Sequence, residues 1–120
     1  MSWPGSGWQG RAIAHKRVIS IGHDHPSLAG HFPGYPVVPG VVLLNEVLDT
    51  LRRGSAASLL VTGLPMVKFT SPLRPGEFVT IHVDEEGAGR ATFSCQVDTR
   101  LVASGVIEFT FGTEPQAERV

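Results

Sequence analysis

The sequence predicts an α+β domain. One stretch, from Pro39 to about Gly54, has helical spacing, and the segments after it alternate apolar and polar residues between turn-forming clusters. One long helix followed by an antiparallel meander of strands packs as two layers around a single core. With 120 residues, 42% of them hydrophobic and 18% charged, the chain fits one domain of ordinary composition. That domain is expected over 11–112, with an irregular arm at 1–10 and a frayed tail at 113–120.

The arm carries Trp3, Pro4 and Trp8 among glycines without any period. The first strand is expected from Ala12 to Gly22, where Ile13, Val18, Ile19 and Ile21 supply β-branched character. Val18 and Ile19 are adjacent, which breaks alternation and leaves the register open.

The helix is expected to begin near Pro39 and to end at Gly54 and Ser55, about fourteen residues in all. At about 100° per residue, Leu43, Leu44, Val47, Leu48 and Leu51 share one arc, and Glu46, Asp49, Thr50 and Arg53 fall opposite. Asn45 sits at the edge of the polar arc beside Val41. Four strands are expected next: Ser58 to Thr70, interrupted at Gly63-Leu64-Pro65, then Glu77 to Asp84, Ala91 to Asp98, and Leu101 to Phe111. Their separators, Arg74-Pro-Gly, Glu86-Gly-Ala-Gly and Thr99-Arg100, have turn chemistry.

Charge and composition exclude several partners. A formal net charge of -1 offers no basic excess for nucleic acid or an anionic membrane surface. No apolar run reaches spanning length and the N-terminus lacks signal-peptide character, so a cytoplasmic address is expected. The single Cys95 forms no intrachain disulfide. It alternates with Ala91, Phe93 and Val97, as a buried strand thiol does.

The densest chemical signal is His31-Phe32-Pro33-Gly34, followed by Pro36 and Pro39-Gly40. Prolines at every third position stiffen the backbone after a titratable imidazole, and the segment runs into a helix whose first amides lack partners. An imidazole serves as a general base, and free amides with the helix dipole favour developing negative charge. His23 and His25 share a strand face, but Pro26 turns the chain between them and His31. Neither a metal nor any other cofactor is expected.

The stretch from His25 through His31-Phe-Pro-Gly-Tyr-Pro-Val-Val-Pro-Gly to Leu44 resembles the active-site segment of bacterial 3-hydroxyacyl-(acyl carrier protein) dehydratases, which have the hotdog fold. A second block, Val67-Lys-Phe-Thr-Ser-Pro-Leu-Arg-Pro-Gly-Glu, resembles the family's next landmark, and the likeness spans about residues 12 to 111. It implies a long central helix wrapped by a curved antiparallel sheet, assembled as a homodimer or higher homo-oligomer with sites between protomers. It implies catalytic roles for three residues. His31 removes the proton next to a thioester carbonyl, the Gly40 N-H holds that carbonyl, and position 45 helps expel the hydroxyl. Phe32, Pro33, Gly34, Tyr35 and Val41 border the substrate.

At position 45 the family carries an acid, whereas this chain has Asn45 with Glu46 one residue later. Glu46 lies deeper in the polar arc, so reaching the site would need a shift of helix register. An amide donates a hydrogen bond but transfers no proton. Three outcomes stay open: dehydration of a 3-hydroxyacyl thioester to a trans-2-enoyl thioester, slower without the acid; an acyl thioesterase; or a non-catalytic acyl-thioester-binding subunit. The implied partner, acyl carrier protein, is acidic, and Arg11, Lys16, Arg17, Lys68 and Arg74 are candidate docking cations.

Overall fold

The computed structural model describes residues 13–22, 37–55, 58–87 and 89–112. The expected arm and tail lie outside these residues. The elements are β1 (Ile13–Ser20), α1 (Gly40–Arg53), β2 (Leu59–Phe69), β3 (Phe78–Glu85), β4 (Arg90–Val97) and β5 (Arg100–Phe111). The strands form one antiparallel sheet in the order β1-β3-β4-β5-β2, with α1 packed against one face. This is an α+β domain with the hotdog arrangement.

Alternation gives the sheet its two faces. Val79, Ile81 and Val83 of β3 lie beside Cys95 and Phe93 of β4, which lie beside Ala103 and Gly105 of β5. All but the glycine belong to the buried core, and Leu43, Val47 and Leu51 of α1 meet them. Gly105 is needed there. A Cβ would lie 2.7 Å from the Phe93 ring and closer still to the Met66 carbonyl. The opposite face carries Thr80, His82, Ser94, Gln96 and Ser104.

Three expectations are corrected. The strands after the helix do not run as a simple meander: β3, β4 and β5 do, but β2 crosses to the far edge and pairs with β5. Gly63-Leu64-Pro65 does not end a strand. Register shifts between Val61 and Gly63 and between Gly63 and Met66 absorb extra residues, and an edge strand tolerates Pro65 because one side needs no ladder donor. Thr50 is buried at 3% exposure although the helical wheel puts it on the polar arc. Its hydroxyl donates to the Glu46 carbonyl at 2.8 Å and accepts from Arg17 at 3.2 Å, which satisfies it inside.

The open register of β1 has a physical cause. Ile13, His15, Arg17 and Ile19 share the helix-facing side, because they lie opposite Glu85, Val83, Ile81 and Val79. Two of the four are polar, and each is paired. His15 Nε2 lies 2.7 Å from Glu85 Oε2. Arg17 reaches Glu46 at 2.8 Å and Asp49 at 3.3 Å. A buried polar pair erases the apolar alternation by which a strand register is read.

Candidate functional site

The helix begins after Pro39, whose φ of -59° suits a helix entrance and whose side chain makes no capping bond. There is no acidic residue in the first turn. The Pro39 carbonyl accepts from the Val42 and Leu43 amides, and among the described residues neither the Gly40 nor the Val41 amide donates to a backbone carbonyl. Among the described residues, two N-H groups at the positive end of the helix dipole are thus without a backbone partner.

A cavity of about 230 Å³ opens at this terminus. Gly40, Val38 and Leu43 line it from the helix side, and Phe69, Leu73 and Val102 from the sheet side. Its lining is largely apolar. A Cβ at residue 40 would lie 2.7–3.0 Å from the Phe69 ring, so a side chain there would have to push that ring aside. That ring is itself 54% exposed and stands at the cavity mouth. Phe69 did not emerge from the sequence reading. Its signal was the block Val67-Lys-Phe running into Pro72, but only the crossing of β2 to the sheet edge brings it to Gly40.

Val41 and Asn45, one helical turn apart, are exposed and line no part of this cavity. They face away from the protomer's own core. Glu46 points elsewhere, into the ion pair with Arg17, and Asp49 extends that network to Arg53 at 2.7 Å. The Arg53 hydrogen bond, reinforced by the charges of Arg53 and Arg17, holds the Asp49 carboxyl below its ordinary value of 3.8. Arg17 is thereby committed to the helix and is no free docking cation. Lys16 and Lys68 stand on the opposite sheet face, at its two edges.

His31, Phe32, Pro33, Gly34 and Tyr35 lie outside the described residues. Among the described residues, no group of three His, Cys, Asp or Glu side chains is placed to hold a metal ion. No helix among the described residues is long and apolar enough to cross a membrane. Cys95 is fully buried, and burial pushes its thiol up to about 12, far from the range of a reactive thiolate.

Comparison with known proteins places this geometry. A model of the ApeI-like family, described as ApeI dehydratase, matches residues 11–106. The chain belongs to the ApeI-like dehydratase family. The 3-hydroxyacyl-(acyl-carrier-protein) dehydratase FabZ of Thermomicrobium roseum is 33% identical over 131 aligned positions, covering 93% of this chain and 80% of that protein. The FabZ of Chlamydia trachomatis serovar L2 is 30% identical, over 82% and 72% respectively. Among solved structures, the dehydratase heterocomplex ApeI:P from Xenorhabdus doucetiae superposes with a TM-score of 0.70 at 26% identity, over 79% of this chain and 87% of that one. The fluoroacetyl-CoA-specific thioesterase FlK gives 0.68 at 15% identity, over 89% and 98%, a likeness of fold alone.

Proposed function

We propose that this protein dehydrates a 3-hydroxyacyl thioester, carried on acyl carrier protein, to the trans-2-enoyl thioester in a cytoplasmic pathway of fatty-acid type. The observation that carries this reading is the helix terminus at Gly40, whose first amides have no backbone partner among the described residues, over an apolar cavity in a chain of a dehydratase family. Abstraction of the proton α to the carbonyl by His31 leaves an enolate-like oxygen. The Gly40 N-H stabilises that oxygen more than it stabilises the neutral carbonyl, and this difference lowers the barrier. Elimination of the β-hydroxyl as water then completes the reaction, with the Asn45 amide donating to the departing oxygen and His31 returning the proton.

The site is read as shared between two copies of the chain. Asn45 and Val41 turn outward from their own cavity, as side chains serving a neighbouring protomer must. Strand β2 is an edge of the described sheet with Leu60, Leu64, Met66 and Phe69 exposed along it, an apolar margin of the kind that pairs rather than stays in water. Phe32, Pro33, Gly34 and Tyr35 border the substrate in this reading, and Glu46 is held in its pair with Arg17.

The test is single-turnover conversion of 3-hydroxyacyl thioesters of graded chain length, followed by enoyl absorbance alongside free-thiol release. The expected result is enoyl product without thiol, lost about 10²–10⁴-fold in His31→Ala. Thiol release would transfer the protein to the thioesterases, and saturable binding with neither product would make it an acyl-thioester-binding subunit.

A further inference from the structure

The segment that carries His31 lies between Gly22 and Val37, and Ile21 and Val38 on its two flanks are both tied to one turn. The Gly76 N-H donates to the Ile21 carbonyl at 2.8 Å, and the Val38 N-H donates to the Leu73 carbonyl at 2.8 Å. Leu73 and Gly76 are three residues apart, so a single short turn holds the entrance and the exit of the histidine segment. Val38 stands two residues before Gly40, which makes this turn a reference point for the oxyanion amide as well.

The turn is itself held by one carboxylate. Glu77 Oε1 accepts from the Arg74 N-H at 2.8 Å and from Arg100 Nη2 at 2.9 Å. Arg100 opens β5 directly after the Asp98-Thr99 turn, where Asp98 takes a left-handed φ of 55°, so its base belongs to the sheet rather than to a loop. The Arg74 amide, followed by the Arg100 guanidinium, keeps the Glu77 carboxyl below its ordinary value of 4.5 despite the opposing effect of burial, and it is ionised at neutral pH. The chain of contact runs from the β4–β5 hairpin through Glu77 to the turn, and from the turn to both flanks of the catalytic segment.

We propose that Glu77 is a positioning residue for the dehydration: by fixing the Leu73–Gly76 turn against β5, it sets the placement of Ile21 and Val38, the described flanks of the His31 segment, and with Val38 that of the Gly40 amide. The inference rests on the reading of His31 as base and Gly40 as oxyanion donor. Proton abstraction from carbon tolerates little error in that placement, since a displacement of about 1 Å costs on the order of 10²-fold. A carboxylate outside the cavity thus controls rate without touching substrate.

The experiment pairs kinetics with amide hydrogen exchange in Glu77→Ala and Glu77→Gln. In Glu77→Ala the Gly76 and Val38 amides should exchange about ten-fold faster while those of β3 and β4 keep their protection, because only the turn has lost its anchor. The kcat for a 3-hydroxyacyl thioester should fall about 10–100-fold with KM changed less than about three-fold. Glu77→Gln keeps an acceptor oxygen for both donors and should recover most of the rate. Arg100→Gln, which removes only one of the two partners, should show the same pattern at smaller amplitude and covers the case in which the alanine variant does not fold. Unchanged exchange at Gly76 and Val38, a loss carried by KM, or equal losses in the alanine and glutamine variants would overturn the proposal. A wild-type protein without dehydratase activity would instead overturn the reading of function, and the exchange data would still decide whether Glu77 holds the turn.

Discussion

The two ends of α1 are built on opposite plans. At the C-terminal end the terminal groups bond within the protein: the Gly54 and Ser55 amides donate to the Leu51 and Arg52 carbonyls, the Ser55 hydroxyl bonds the Leu51 carbonyl, and Arg53 and Arg17 grip Asp49. At the N-terminal end, among the described residues, no side chain caps the helix, no acid stands in its first turn, and a cavity opens beside amides without a backbone partner. Each end also has a glycine against a ring, Gly40 under Phe69 and Gly54 under His15. The rings differ in freedom. Phe69 is half exposed, whereas the side chain of His15 is 10% exposed and bonded to Glu85. A helix end finished by its own protein contributes stability, and one left unfinished is available for chemistry.

Adding one methyl group at each end separates these roles. Gly40→Ala has the larger expected effect: the Cβ forces Phe69 outward and crowds the approach to the amide. Dehydration should fall about 10²-fold with a melting temperature within a few degrees of wild type, measured by enoyl absorbance and thermal unfolding. Full activity in this variant would break the contrast. Asn45→Asp sharpens it, since it supplies a proton donor to an end that lacks one, and a rate gain of about ten-fold or more is expected in the same assay.

Gly54→Ala should do the reverse. Its Cβ would overlap the His15 ring, which could move only by giving up its bond to Glu85, so a loss of about 1–3 kcal/mol in denaturant unfolding is expected with kcat nearly unchanged. The smallest effect concerns pH. Asp49 and Glu77 both have carboxyls lowered by their partners, so their stabilisation is complete above their ordinary values of 3.8 and 4.5 and is lost as pH falls through the lower folded values. Unfolding followed from pH 6 to 3 should show stability falling below about pH 4.5, and Asp49→Asn should flatten part of that slope.

Much of the fold was readable from residue order because β3, β4 and β5 alternate cleanly, and because Pro39 and Gly54 bracket a strongly periodic apolar arc. What escaped was everything decided by a partner distant in sequence. The register of β1 was hidden because His15 and Arg17 take core-facing positions that only Glu85 and Glu46 make tolerable. The burial of Thr50 depends on the same arginine. At the candidate site, a proline-glycine pair before an apolar run marked the helix entrance at Gly40, since the lack of a Cβ and the free amides are local properties. Phe69 and the Leu73–Gly76 turn were invisible as parts of that site, because their proximity comes from the crossing of β2 and the return of the chain over β5. The imidazole that the motif put forward lies outside the described residues.

The sulfur of Cys95 sits at the centre of the sheet, between Ile81 on β3 and Ala103 on β5, with no surface of its own. A thiol so enclosed and so reluctant to ionise is chemically silent while β3, β4 and β5 hold together. The molecule therefore carries a native stopwatch: an alkylating reagent would record how often those central strands part, and fraying at either margin of the sheet would go unregistered.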